Sequence, residues 1–546
     1  MKKHTKFVTL LLALAMLMVT ALPLTAFAAG ENGSITITPP VNHTLADTDF
    51  NAYKLFDVTV GGTAPNYSFA YTPVQPAVDN FLAKPGMSKY GANADAFLKW
   101  LQAARTEDEI IGLAKDLTAN KGLFTAISAT AAAPNVKINN LDYGYYLVTG
   151  AATRDGQKVI SRSMLVTVPT LVYTNNAVTG TTKDAQVKLK AEAPEIDKEV
   201  WNDDCDPAAG IKNSWDDWTD ANIGKTVEFK LTSKVPDMAG YDRYTFAVHD
   251  TMSKGLTFGG ANKVTIKLVK AGENDIIVDP YQYTVTTSPA TDTSGAYAGG
   301  TKIDIAFPNF KEDFEDFTGW TIEILYEATL NENAVVGAPG NPNKVNLEYS
   351  NNPYDEDDKG KTPDKEVKVY TFELKIFKYT GVDTPLAGAE FELSPKTGAN
   401  TYGAAIKFVK LTGDPNYDYR VAMPGEAGDT VLVSNANGLV RIEGLDAGEY
   451  GLKETKAPDG YNLIPGWITT IIVHKAPFQG ESSLTVGSLT GQEQVSVLNN
   501  AGGTLPGTGG IGTYIFFGLG GAMALLLCVA LVAYRKKKAL EALDAE

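Results

Sequence analysis

The stretch GEYGLKETKAPDGYN, residues 448–462, raises the question that decides the fold. Tyr450, Leu452 and Glu454 have the same parity, so on a β-strand their side chains share one face. Two of these side chains favour burial, whereas a carboxylate on the same face is costly to bury unless it is paired or protonated. Either this segment is not a strand, or Glu454 has a role inside the core.

Two more polar side chains continue apolar faces in the same part of the chain. In FELKIFKYTG (372–381), Lys378 follows three apolar residues at alternate positions. In EQVSVLNN (493–500), Asn499 follows two valines at alternate positions, and Asn500 has the opposite parity. Each residue alone could lie at a strand end and reach water. Three such residues in one domain indicate a shared role.

The preceding part of the chain repeats this pattern. Lys198 in PEIDKEV, Asp250 in YTFAVHD and Asn343 in NKVNLEYSN each share a face with apolar residues, and Asn346 has the opposite parity. The order is again a lysine on a first strand, an acid on a middle strand and an asparagine on a last strand.

A lysine, an acid and an amide in one core suggest a specific reaction. Burial lowers the pKa of an amine and raises that of a carboxyl group, so the amine can become a nucleophile and the acid a hydrogen-bond donor. The amine can then attack the asparagine carbonyl and expel ammonia, and fixed geometry makes such a step plausible without an external enzyme, because it supplies a very high effective molarity. We therefore predict bonds Lys198–Asn343 and Lys378–Asn499, assisted by Asp250 and Glu454.

Composition excludes several classes of protein. The 546 residues carry a formal net charge of −16, which disfavours nucleic-acid binding. The two cysteines, Cys205 and Cys528, lie in very different surroundings, and the four histidines have no metal-ligand spacing. No nucleophile–base motif stands out. We expect no metal, no cofactor and no enzymatic turnover beyond the single self-cross-linking step.

The two ends of the chain predict export and anchoring. Residues 1–28 have a basic start, an apolar stretch and a small-x-small end, as in a secretory signal peptide. Residues 511–534 form an apolar run that is long enough to span a bilayer, and a basic tail follows it. A plain single-pass membrane anchor is one interpretation of this second segment, and a transient anchor that is removed during processing is the other.

Between the ends, short alternating runs bounded by turn residues predict an all-β chain of three tandem immunoglobulin-like β-sandwich domains. The predicted divisions are 29–190, 191–367 and 368–502, followed by 503–546. The stretch ADAFLKWLQAARTEDEIIGLAKDLTANK has helical spacing and predicts a helical insertion in the first domain. The residues that fit this spacing are Phe97, Leu101, Ile110, Ile111 and Leu117, so we expect the insertion to pack on the sandwich.

Several of these motifs resemble one family. LPGTG followed by an apolar span and basic residues resembles the cell-wall sorting signal of Gram-positive surface proteins. YGLKETKAPDGY resembles the E-box of Gram-positive pilins, and PLAGAEFELS resembles the opening of collagen-adhesin B-type domains. HDTMSKGLTF and NPNKVNLEYSNNP resemble the second, isopeptide-forming domain of fimbrial subunits. Nearly the whole chain thus resembles a sortase-assembled backbone pilin.

The resemblance implies how the chain would be processed. A sortase would cleave the sorting signal between Thr508 and Gly509 and transfer the Thr508 thioester to an amine. The implied partners are identical subunits, a pilus-specific and a housekeeping sortase, minor pilins and the peptidoglycan cross-bridge, in a cell-wall-anchored surface appendage. The signal residues are Leu505, Pro506, Gly507, Thr508 and Gly509.

A polymer also needs an acceptor lysine near the end of the first domain. The family pattern there is roughly WxxxVxVYPK, and TTKDAQVKLKAEAP lacks its tryptophan, tyrosine and proline. Lys190 fits best by its spacing from Lys198, with Lys188 and Lys183 as alternatives. If none of them is used, the chain is a monomeric wall-anchored adhesin that binds a host surface ligand. A tip or basal pilin is a further alternative to a shaft subunit.

Overall fold

The computed structural model describes residues 32–45, 49–130, 135–203, 213–337, 339–473, 493–501 and 511–543. The predicted signal peptide, Cys205 and the LPGTG motif lie outside these residues. The described chain is mostly β, with several β-sandwich domains, so the predicted fold class is confirmed. We call residues 33–188, 196–370 and 372–498, bounded by their first and last strands, the first, second and third domains.

The first domain contains two main sheets, with strand orders β12-β1-β5 and β3-β2-β6-β9, and β4 also pairs with β2. Its strands are β1 (Gly33–Thr38), β2 (Asp49–Thr63), β3 (Asn66–Pro73), β4 (Ala126–Thr130), β5 (Val136–Leu141), β6 (Gly144–Thr149), β7 (Ala151–Arg154), β8 (Gln157–Ile160), β9 (Met164–Val168), β10 (Thr170–Thr174), β11 (Ala177–Thr182) and β12 (Asp184–Lys188).

Helices lie between β3 and β4, where the insertion was predicted. They are α1 (Ala77–Leu82), α2 (Ala94–Gln102) and α3 (Glu107–Ala119), with 3-10 turns at Met87–Tyr90 and Lys121–Leu123. Thr106 begins α3 with a capping box, because its hydroxyl accepts from the Glu109 amide while the Glu109 carboxylate accepts from the Thr106 amide. This cap divides the predicted helical stretch into two helices.

The helical core differs from the prediction at two residues. Phe97, Leu101 and Leu117 are buried as expected. Ile110 and Ile111 are only partly buried. The buried positions in this part of α3 are instead taken by Leu113 and Ala114, which lie further along the helix.

The second domain is a sandwich of two large sheets. One has the order β14-β13-β16-β23-β19-β20, and the other has the order β15-β26-β24-β17-β22-β21. Its strands are β13 (Ile196–Asn202), β14 (Ser214–Asp216), β15 (Trp218–Asp220), β16 (Thr226–Lys234), β17 (Phe246–Met252), β18 (Leu256–Phe258), β19 (Thr265–Val269), β20 (Ile276–Ile277), β21 (Thr284–Pro289), β22 (Thr301–Ala306), β23 (Thr321–Leu330), β24 (Asn341–Ser350), β25 (Lys359–Lys361) and β26 (Lys365–Tyr370).

The short helix α4 (Phe310–Phe314) and 3-10 turns at Ala261–Lys263 and Glu315–Phe317 complete this domain. Strand β26 continues three residues past the predicted division at 367.

The third domain also has two facing sheets. In the first, β27 pairs with β34 on one side and in parallel with β37 on the other; the second has the order β30-β29-β35-β36. Its strands are β27 (Phe372–Thr380), β28 (Thr384–Pro385), β29 (Glu390–Gly398), β30 (Thr401–Tyr402), β31 (Phe408–Lys410), β32 (Tyr419–Val421), β33 (Leu432–Val433), β34 (Leu439–Leu445), β35 (Gly448–Lys456), β36 (Trp467–Val473) and β37 (Glu493–Leu498).

A long helix, α5 (Ile511–Leu543), follows the third domain, as the apolar run predicted. Its segment Gly518–Lys538 is long and apolar enough to cross a membrane, and its side chains are exposed. The segment fits a membrane anchor.

Candidate cross-linking sites

The predicted residues of the second domain meet between its two sheets. Lys198 lies on β13 of one sheet, while Asp250 and Asn343 lie on the neighbouring strands β17 and β24 of the other. Alternation along each strand directs all three side chains inward, and none is more than 4% exposed. The lysine therefore reaches across the sandwich to an acid and an amide.

Polar contacts join these three side chains through a tyrosine. The Lys198 ammonium contacts Asp250 Oδ2 and lies 2.5 Å from the Tyr326 hydroxyl. That hydroxyl donates to Asp250 Oδ2 at 2.7 Å and accepts from Asn343 Nδ2 at 3.1 Å. Within the described residues, Asn343 Oδ1 has no hydrogen-bond partner. An amide oxygen in that position is available to a protonated acid.

Burial shifts the ionisation of the pair in the direction that the chemistry needs. Burial lowers the pKa of Lys198, although the Asp250 carboxylate opposes this shift. Burial also raises the pKa of Asp250, against the opposing influence of Lys198, Tyr326 and Asn343. Both shifts favour the neutral forms, which are an amine nucleophile and a carboxylic acid.

The third domain assembles the same residue types in a different arrangement. Lys378 lies on β27, and Asn499 directly follows the parallel neighbour β37, so both belong to one sheet. Glu454 reaches them from β35 of the facing sheet. None of the three is more than 2% exposed. Here the acid, rather than the lysine, crosses the sandwich.

The contacts in this site are direct. Lys378 Nζ lies 2.5 Å from Asn499 Oδ1 and 2.8 Å from Glu454 Oε1. Asn499 Nδ2 donates to Glu454 Oε1 at 3.1 Å, and the Ile464 amide donates to Oε2 of the same carboxylate at 2.9 Å. Burial lowers the pKa of Lys378, and the Glu454 carboxylate acts against this shift. This geometry answers the opening question, because Glu454 is buried in contact with both groups that would react.

Sequence reasoning missed Tyr326. It lies on β23 in WTIEILYEATL, where alternate residues are buried. Its parity places it inside, but an inward tyrosine on a strand usually belongs to the core, so the pattern alone gave no reason to select it. The signal that would have found it is its hydroxyl, since a buried hydroxyl needs a polar partner.

The candidate acceptor lysines lie at the end of the first domain. Lys190 follows β12, its side chain is 55% exposed, and its Nζ lies 3.8 Å from Glu107 Oε1 on α3. Lys188 and Lys183 are also exposed. Their partner in the predicted reaction, Thr508, lies outside the described residues, as does the whole sorting signal. Within the described part of the chain, no group of three or more His, Cys, Asp or Glu side chains could hold a metal ion.

Two family models match the domains that contain these sites. A model of the Gram-positive pilin backbone subunit 2, a Cna-B-like domain, matches residues 223–353. A second model, the SpaA prealbumin-like fold domain, matches residues 372–480. The second and third domains are of the Gram-positive pilin type. The matched pilin regions include Asp250, Asn343, Lys378 and Glu454.

Relatives of the pilin domains span much of the chain. The trypsin-resistant surface T6 protein of Streptococcus pyogenes is 24% identical over 397 residues, which are 58% of this chain and 66% of that protein. The alignment therefore covers slightly less than two thirds of this relative.

Solved structures of backbone pilins are also similar to this chain. The T6 backbone pilin of S. pyogenes has 20% identity and a TM-score of 0.49, covering 82% of this chain and 81% of that chain. The major pilin SpaD of Corynebacterium diphtheriae has 18% identity and a TM-score of 0.46, covering 86% and 98%.

Proposed function

We propose that this protein is the shaft subunit of a covalent, sortase-assembled pilus that is anchored to the cell wall. The observation that carries the proposal is the presence of a buried lysine, acid and asparagine in each of two pilin-type domains. Subunits would be joined head to tail, Thr508 of one to Lys190 of the next. The last Thr508 would be joined to the peptidoglycan cross-bridge.

Each buried site would form one amide bond between side chains. The neutral lysine attacks the asparagine carbonyl carbon, the acid donates a hydrogen bond to the carbonyl oxygen, and the asparagine nitrogen leaves as ammonia. Asp250 and Glu454 would each act once, on their own domain. The bonds would tie β13 to β24 and β27 to the end of β37, as a disulfide would but without an oxidant.

Intact-mass analysis of recombinant residues 30–504 tests the cross-links. Each bond releases one ammonia, so we expect a deficit of about 17 Da per bond, about 34 Da in total. Peptide mapping should recover the branched peptides Lys198–Asn343 and Lys378–Asn499. An unshifted mass would defeat the isopeptide part of the proposal.

Polymerisation needs a separate test in the native host. Enzymatically released cell-wall material, boiled in SDS and immunoblotted, should show a high-mass ladder in the wild type. Lys190→Ala should collapse this ladder to monomer, whereas the matched variants Lys188→Ala and Lys183→Ala should keep it. A ladder that persists in Lys190→Ala would move the junction to another lysine.

A monomeric wall-anchored adhesin is the second candidate. It is favoured by the absence, around Lys190, of the tryptophan, tyrosine and proline of the family pattern. A single wall-linked species in wild-type cells would support it, since an adhesin shares the sorting signal and the cross-links but does not polymerise.

A further inference from the structure

The two sites differ in how the acid reaches the nitrogen that must leave. In the third domain, Asn499 Nδ2 donates directly to the Glu454 carboxylate at 3.1 Å. In the second domain, Asn343 Nδ2 donates to the Tyr326 hydroxyl at 3.1 Å, and that hydroxyl donates to Asp250 Oδ2 at 2.7 Å. Aspartate is one methylene shorter than glutamate. The tyrosine hydroxyl occupies the place between acid and amide that the longer side chain reaches by itself.

We propose that Tyr326 is a proton relay that connects Asp250 to the leaving nitrogen of Asn343. This role rests on the proposed isopeptide bond and extends it to a fourth residue. The tyrosine hydroxyl contacts all three groups of the reaction, since it also lies 2.5 Å from Lys198 Nζ. Among the residues that the structure describes, Tyr326 is the side chain that hydrogen-bonds to the lysine, the acid and the amide of this site.

The relay balances the protons of the reaction. As the bond between Lys198 Nζ and the Asn343 carbonyl carbon forms, Nζ loses one proton to Asp250. Asp250, which starts as the neutral acid, takes up this proton on one carboxyl oxygen as its own carboxyl proton passes to the Tyr326 oxygen. The Tyr326 hydroxyl turns from Asp250 towards Asn343 and gives its original proton to Nδ2. The bond from carbon to Nδ2 then breaks and ammonia leaves. The Asp250 carboxylic acid and the Tyr326 hydroxyl are both protonated before and after the reaction, and no external acid, base or oxidant is needed.

The surroundings of Tyr326 keep its hydroxyl protonated until the reaction. Burial raises the pKa of Tyr326 well above its ordinary value, and the neighbouring Asp250 charge acts in the same direction. A hydroxyl has one donor and two acceptor positions, which matches one bond to Asp250 and two from the nitrogens. Its ring stacks on Phe229 at a centroid distance of 5.3 Å, which fixes the position of the oxygen.

Removing one oxygen atom tests the relay. Tyr326→Phe keeps the stacked ring, and we expect the Lys198–Asn343 bond to form about 100-fold more slowly, because positioned proton transfer typically contributes this much or more. The rate is followed in freshly synthesised residues 30–504 by the loss of about 17 Da and by the branched peptide. The Lys378–Asn499 bond should form at the wild-type rate and serves as an internal control. Tyr244→Phe, which also removes a buried hydroxyl in this domain, should leave both rates unchanged.

Rescue separates a relay from a role in packing. Asp250→Glu added to Tyr326→Phe should recover the bond in part, because the longer acid can reach Nδ2 directly, as Glu454 does. Difluorotyrosine at position 326 keeps the hydroxyl but makes it more acidic. It should change the rate at which the Lys198–Asn343 bond forms, and the pH profile of that rate, without changing the rate of the Lys378–Asn499 bond. This second readout applies even if Tyr326→Phe does not fold.

The outcomes distinguish the relay from the proposed function. A wild-type chain with neither mass deficit overturns the isopeptide bonds themselves. If the wild type shows both mass deficits, the isopeptide bonds stand. The relay alone is then overturned if the Lys198–Asn343 bond forms at the wild-type rate in Tyr326→Phe or in the difluorotyrosine protein. In that case the Asn343 amide, which is near enough to stabilise the Asp250 carboxylate, would receive its proton from Asp250 directly.

Discussion

Lys378 shows, at the scale of one residue, why these sites call for a chemical rather than a structural explanation. Its amine is fully buried between a carboxylate and an amide oxygen. A buried ion pair is weak evidence for stability, because desolvation offsets most of the attraction, and apolar residues of similar volume often serve as well. The proposed covalent bond would remove the cost of burying the lysine charge, since the product amide carries no charge.

Glu454→Gln should remove the third-domain bond while keeping the shape of the side chain. We expect one deficit of about 17 Da instead of two, since an amide, unlike a carboxyl group, cannot take up the lysine proton and pass another to the leaving nitrogen. The third domain should also unfold at a lower temperature, because Lys378 stays buried without a counter-charge and the loop is no longer closed. Mass spectrometry and calorimetry measure both effects.

Glu449→Gln is the matched control for this variant. Glu449 lies on the same strand, but its side chain is 40% exposed and pairs with Lys396. It should keep both bonds. Recovery of the branched Lys378–Asn499 peptide from Glu454→Gln would contradict the assigned role.

Strand parity is the reason that the six buried residues of the two proposed sites could be selected from the sequence. An inward polar residue in an apolar stripe is unusual, so Glu454, Asp250 and their partners were visible as exceptions. Tyr326 was not, because an aromatic residue on an inward face is the ordinary case. Ile111 was grouped with the apolar residues of its helix by spacing, and it is only partly buried. It lies close to Gly240 of the second domain, a contact between domains that no local periodicity reveals.

At the scale of elements, β27 and β34 place two glutamates opposite each other. Glu373 and Glu443 are direct partners in the antiparallel register, where like charges destabilise the pair. Burial raises the pKa of Glu443 to about 7, and repulsion from Asp414 and Glu373 adds to this shift, while Arg420 opposes it. Glu443 is therefore more easily protonated in the folded state than in the unfolded chain.

Stability of the third domain should consequently depend on pH. The folded pKa lies above the unfolded value of 4.5, so the folded state binds more protons between about pH 4.5 and 7, and the free energy of unfolding falls as the pH rises through that window. Glu443→Gln should remove this dependence and stabilise the domain at pH 8 by about 1 kcal/mol, after allowance for solvent screening. Thermal unfolding at pH 5 and pH 8 measures it. An unchanged pH slope in the variant would rule out Glu443 as its source.

The second and third domains form a closely packed junction at the scale of the whole molecule. The Asp220 carboxylate accepts from the Ala447 amide at 2.7 Å, and the Asn222 side chain accepts from the Asp446 amide at 2.9 Å. The Ile223 amide donates to the Gly444 carbonyl at 3.0 Å. These hydrogen bonds, all donated by backbone amides, fix the orientation of one domain on the other.

Gly444→Ala should loosen this junction. Gly444 has a φ of +87°, and a Cβ there would lie 2.6 Å from Ile223 Cδ1, so alanine meets both strain and a clash. We expect destabilisation of about 1–3 kcal/mol and separate calorimetric transitions for the two domains. Gly413→Ala is the control, because its φ is also positive but its Cβ would meet open space. A single unchanged transition in Gly444→Ala would show that the junction is not coupled through this contact.

The position of Asn343 within β24 has a consequence for a pulled fibre. Tension entering at Lys198 would pass through the amide bond directly to Asn343 and then continue along the chain to Lys378, where the next bond begins. The rest of β24 and all of β26 lie on this path but would be outside both proposed covalent rings, although they are paired with each other and with their sheet. About 35 residues per subunit, or about 120 Å when extended, could unravel and reform without breaking a covalent bond. Each subunit would thus contain a reversible extensible segment between two inextensible rings.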